Sequence, residues 1–91
     1  MFLAKVIGTI VSTSKDERLV GFKLMLTRRI DEFGETIAGG PEVCVDTVGA
    51  GVGETVIVTK GSSARFGADR PHAPLDATIV GIVDVVEIDG R

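Results

Sequence analysis

The chain has 91 residues, one domain's worth, with room for a single modest core. Hydrophobic residues make up 44% of it, yet no apolar run approaches the roughly 20 residues that span a bilayer. A formal net charge of −3, ten dispersed basic residues and four aromatics, all Phe, argue against a broad phosphate-neutralising face and against a platform for stacking bases.

Composition does not shift along the chain, so residues 1–91 read as a single domain, mostly strand. Phe2 to Ser12 is rich in β-branched residues. Phe2, Ala4, Val6, Gly8 and Ile10 share one parity and are expected to face the core. Leu3, Lys5, Ile7, Thr9 and Val11 share the other and are expected to be partly exposed. Gly8 inside the strand suggests a bend or a close neighbour. Lys5 interrupts the apolar opening, and with no basic lead-in it does not read as a signal peptide. Thr13 to Leu19 reads as a solvated loop.

Val20 to Ile30 is the second expected strand, with Phe22, Leu24 and Leu26 opposed to Lys23, Met25 and Thr27. The stretch "DEFGET" reads as a turn and Ala38 to Pro41 as another break. Glu42 to Val48 is the third strand, and Glu54 to Lys60 the fourth. "GSSARFG", Gly61 to Gly67, predicts a short helical turn capped by Ser62 or Ser63. Ala68 to Pro74 is a loop stiffened by Pro71 and Pro74. Ala77 to Ile88 is a long fifth strand with Gly81 as a bend point. Five strands, two of them long and glycine-bent, predict an all-β fold: a small closed OB-like barrel with one short helix between strands 4 and 5. Closure would remove exposed sheet edges.

The chemistry of catalysis is missing from the pattern. With one Cys and one His, Cys44 and His72, there is no metal-ligand cluster and no intrachain disulfide, which fits a reducing compartment. No acid–base pair stands out. No catalytic, cofactor or metal residue is therefore assigned, and the chain does not read as an enzyme. "DTVGAGVGETV", Asp46 to Val56, is glycine-dense like a phosphate loop, but Glu54 stands where both nucleotide patterns need glycine, and a β-branched strand follows where they need a helix. Small residues there either mark a tight turn or let backbone approach another surface.

Taken together, "KVIGTIVSTSKDERLVGFKLMLTRRID", "DTVGAGVGETVIVTKGSSARF" and "PLDATIVGIVDVVEI" resemble the EutN/CcmL family, the pentameric vertex proteins of bacterial microcompartment shells. The resemblance covers nearly the whole chain. It implies a five-stranded barrel that assembles as a cyclic homopentamer. It also implies a structural role: capping the vertices of a polyhedral shell built mainly from hexameric shell proteins, in the cytoplasm, around encapsulated enzymes. On that footing Val48, Gly49, Ala50, Gly51, Gly53 and Glu54 are expected at the axial end of the ring, where five copies of one loop meet. Ser62, Ser63, Ala64, Arg65 and Ile79 are expected at the contact between protomers, Arg65 either across that contact or capping carbonyls of its own chain. The resemblance implies no cofactor, nucleic acid or membrane. The competing readings are an OB-like nucleic-acid-binding module, which the acidic pI of about 5.0 opposes, and a small-molecule site between subunits.

Overall fold

Alternating apolar residues build each of five strands, and the strands close on themselves. In the computed structural model, which describes residues 1–12, 17–61, 64, 67, 68 and 76–89, they are β1 (Phe2–Ile10), β2 (Lys23–Arg29), β3 (Glu42–Asp46), β4 (Thr55–Lys60) and β5 (Ala77–Val83). They form a closed barrel in the order β1-β2-β3-β5-β4. Every neighbouring pair is antiparallel except β3 and β5, which run parallel. The expected OB-like closed barrel is therefore present.

The strands are shorter than their apolar runs, for local reasons. β2 starts late because Val20 and Phe22 donate backbone N–H groups to Glu17 and Leu19, continuing a 3-10 turn over Glu17–Leu19. β5 stops at Val83 because that residue faces Thr55, the first residue of β4, and no ladder partner follows. The bend expected at Gly8 is a bulge: the β1–β2 register shifts between Val6 and Gly8. That 3-10 turn lies between β1 and β2, and the short helix expected between strands 4 and 5 is represented among the described residues by Ala64 and Gly67, both helical. In the segment where the short helix was expected, Ala64 N–H donates to Gly61 O and Ala68 N–H to Ala64 O. Ser62 and Ser63, the expected caps, lie outside the described residues, as does His72.

Two apolar clusters result. Inside the barrel, Ala4, Val6, Met25, Cys44, Ala50, Val56, Val58, Ala77 and Ile79 pack together, with Phe2 against them. Outside it, Val45 packs with Ala64 and Ala68, flanked by Leu19, Phe22 and Leu24. The two parities of β2 are thus both used, Met25 and Thr27 inward and Leu24 outward under the turns. Most interior side chains are no larger than valine, with Met25 and Ile79 the largest, as suits a narrow barrel. Buried hydroxyls are spoken for: Thr27 Oγ1 meets Glu42 O at 3.2 Å and Cys44 Sγ at 3.3 Å, and Thr78 Oγ1 donates to Ala64 O at 2.7 Å. The last bond ties the turn at Ala64 onto β5.

Candidate functional site

The loop from Asp46 to Glu54 joins β3 to β4 and is fixed by its own side chains. Asp46 is 8% exposed. Its Oδ1 accepts the N–H groups of Val48 at 3.0 Å and Gly49 at 3.1 Å, and its Oδ2 accepts that of Ala50 at 2.8 Å. One carboxylate thus turns the chain and gathers three successive amides, the arrangement in which a short acidic side chain competes with sheet extension. That is why β3 ends at Asp46. Gly49 then takes φ +79° and Gly53 φ +93°, conformations that L side chains resist.

The far side of the loop is tied just as closely. Glu54 Oε1 accepts Gly51 N–H at 2.6 Å. Gly53 N–H donates to Val6 O at 2.8 Å and Val6 N–H to Glu54 O at 3.0 Å, extending the β1–β4 ladder into the loop. Lys23 Nζ reaches Ala50 O at 3.2 Å, and Thr47 Oγ1 donates to Ile79 O at 2.8 Å. The methyl of Ala50 plugs the barrel end and is fully buried.

The glycines serve different purposes. Gly49 and Gly53 are required by positive φ. Gly51 has no such requirement, and a methyl added there would meet only Glu54 Oε1, at 3.3 Å. The loop's exposed aliphatic side chains are Val48, at 38%, and Val52, at 62%. Of the residues read from sequence as axial, Val48, Gly49, Gly53 and Glu54 are exposed, Gly51 is half-buried and Ala50 is internal. Glu54 binds the loop's own backbone. Asp46, the organiser of the loop, was missed, although an aspartate directly before a glycine-rich turn is a signal for side-chain capture of amides.

Of the second group of expected residues, Ala64 and Ile79 are among those described. Ala64 and Ile79 are completely buried within one barrel, so neither side chain offers area to a neighbour, a correction to their expected place between protomers. Ile79 faces inward against Val58 and fills the core; Ala64 covers Val45. Ser62, Ser63 and Arg65 lie outside the described residues. Exposed aliphatic surface lies elsewhere: Ile7, Val43, Val52, Ile82, Val85, Val86 and Ile88 are each at least 36% accessible.

Chemically reactive arrangements are scarce. Among the described residues no three His, Cys, Asp or Glu side chains cluster to hold a metal. Cys44 is buried in the barrel, and burial raises its thiol pKa above the ordinary value, against a lowering hydrogen bond from Thr27. A cleft of about 410 Å³ beside the end of β2 is lined by Arg29, Gly39, Gly40, Pro41 and Glu42 among others. Arg29 holds its guanidinium over the Phe2 ring, 4.2 Å from the centroid. No helix among the described residues is long and apolar enough to cross a membrane.

The family model described as "Ethanolamine utilisation protein EutN/carboxysome" matches residues 1–84. The chain is 56% identical, over 88 residues, to the bacterial microcompartment shell vertex protein GrpN of Rhodospirillum rubrum, covering 96% of this chain and 97% of that one. It is 49% identical to the shell vertex protein PduN of Salmonella typhimurium over 89 residues, covering 94% and 98%. Among solved structures, Gloeobacter violaceus CcmL superposes with a TM-score of 0.90 at 42% identity, over 100% of this chain and 93% of that one. The GrpN pentameric microcompartment shell protein superposes at 0.86 with 55% identity, over 97% and 99%.

Proposed function

The chain belongs to the EutN/CcmL family of microcompartment shell vertex proteins, and from that premise we propose that it works as a cyclic homopentamer seated at the vertices of a polyhedral bacterial microcompartment shell in the cytoplasm. Its role is structural rather than enzymatic. Full-length kinship to shell vertex proteins, one of them solved as a pentamer, carries the reading. A closed sheet of hexagonal tiles cannot curve into a polyhedron without fivefold positions, and a five-membered ring supplies them.

Physical chemistry supports the ring independently of kinship. A lone barrel leaves aliphatic side chains in water on several sides: Val85 is 72% exposed, Val52 62% and Val43 50%. Burial of these side chains against identical copies would remove them from water at about 25 cal/mol per Å². The loop carrying Val48, Gly49, Gly51 and Gly53 suits the axial end, where five copies converge and bulky side chains would collide. The charged segment 14–18 and the turn Asp31–Glu35 are candidates for contact with hexameric shell proteins. Asp31 makes that turn rigid by accepting the N–H groups of Phe33 and Glu35.

The test is native mass at micromolar concentration. A particle of about 48 kDa, five times the 9.5 kDa chain, is expected. A stable monomer would overturn the proposal.

A further inference from the structure

The chain leaves the barrel after Val83, the last residue of β5 with a partner in the ladder. The segment that follows alternates two chemistries. Asp84, Glu87 and Asp89 carry carboxylates, while Val85, Val86 and Ile88 are 72%, 43% and 36% exposed. It is an amphipathic stretch that has left the ladder with part of its aliphatic surface in water.

A complementary surface exists on the outer wall. Lys5 of β1 and Arg28 of β2 stand directly opposite each other in the ladder. Like charges in that position repel. Neither has an ion-pair or side-chain hydrogen-bond partner among the described residues, whereas Lys23, Arg29 and Lys60 are each engaged, by Ala50 O, the Phe2 ring and Glu42. In a chain of net charge −3, two adjacent cations without a carboxylate of their own are a surface that an external anion would complement. Apolar surface lies near them: Ile7 is 38% exposed on β1, and Val43, opposite Leu26 in β3, is 50% exposed.

We infer that the Asp84–Asp89 segment of one protomer lies across the Lys5–Arg28 face of the next protomer, carboxylates against the cations and aliphatic side chains against Ile7 and Val43. This rests on the ring proposed above and names its contact. Val83, Thr55, Lys5 and Arg28 form one row across β5, β4, β1 and β2. With strands about 4.8 Å apart, the root of the segment sits roughly 10 Å from its own Lys5. Val85 remains largely in solvent, so its side chain is open to a neighbour. A contact between two different patches of one chain, repeated by rotation, is the heterologous kind that closes rings.

Two experiments decide it, both on the whole chain. The first compares the native mass of the parent, K5E/R28E, E87K/D89K and the fourfold combination across a dilution series, with circular dichroism to confirm the barrel. Each double reversal is expected to raise the concentration at which the ring dissociates by about tenfold or more, and the combination to bring it back near the parent. Folded double reversals that dissociate like the parent, or a combination no better than its parts, would overturn the contact. The second pairs Lys5→Cys with Glu87→Cys in one chain and oxidises it. Covalent oligomers up to the pentamer on a denaturing gel are expected. Bridges confined to single chains would assign the segment to its own barrel, and an absence of bridges in an intact ring would leave the cations to another partner, either of which sinks the inference. A monomeric parent would instead sink the ring itself.

Discussion

Removing the Asp46 carboxylate tests whether one side chain organises the loop. Asp46→Ala deletes the acceptor for three amides, those of Val48, Gly49 and Ala50. Hydrogen bonds to a charged group contribute about 1.5–3 kcal/mol each, but water can replace the acceptor where the donor is accessible. Val48 and Gly49 are exposed, so their amides recover most of the loss from solvent. Ala50 is fully buried. Its amide has no substitute, and leaving it unsatisfied costs about 1–3 kcal/mol. The sum is about 3 kcal/mol for Asp46→Ala, a large part of the 5–15 kcal/mol typical of a domain. Asp46→Asn keeps one oxygen and should cost about half as much. Urea unfolding followed by circular dichroism, at fixed protomer concentration because the ring contributes to stability, measures the difference. An alanine variant within about 0.5 kcal/mol of the parent, at unchanged slope, would show that the glycines shape this loop without help from the carboxylate.

Gly51→Trp should leave the barrel folded, because Gly51 lacks a positive φ and meets only the movable end of Glu54; it should nevertheless disturb the ring, and a native mass and axial opening equal to the parent's would remove the loop from the axis. Cys44 gives a pH signature. Its pKa is raised from 9.0 by burial, so the folded chain holds the thiol proton where the unfolded chain has released it. The associated stability is complete below about pH 9 and falls as pH rises beyond it, and Cys44→Ala should flatten that alkaline decline. Iodoacetamide at pH 8 should label Cys44 promptly in urea and slowly in the native protein; equal rates would contradict its burial.

Architecture was the legible part of the sequence because period-2 alternation reports which side chains share a face. It located all five strands and the inward set Ala4 and Val6 correctly. It overran their ends, since an apolar residue such as Val85 looks the same whether a neighbouring strand pairs with it or not. It placed Ile79 at a subunit contact for a related reason. Burial on both faces of β5 comes partly from the turn at Ala64, whose carbonyl takes the Thr78 hydroxyl, and nothing local distinguishes a chain's own cover from a neighbour's. The β3–β4 loop was picked out by its glycines, while the residue that shapes it, Asp46, was read only as one parity of a strand.

The loop also answers a question of chemistry. Successive backbone amides in a glycine-rich turn are what a phosphate would seek. Here the amides of residues 48, 49 and 50 are taken by Asp46, and that of Gly51 by Glu54. An incoming anion would have to displace one of two carboxylates, each adding negative charge beside it. With its donors turned inward, the loop presents carbonyls, glycine hydrogens and the side chains of Val48 and Val52. Such a surface suits the close packing against its own copies proposed above: a loop already held rigid has little conformational entropy left to lose when a ring closes.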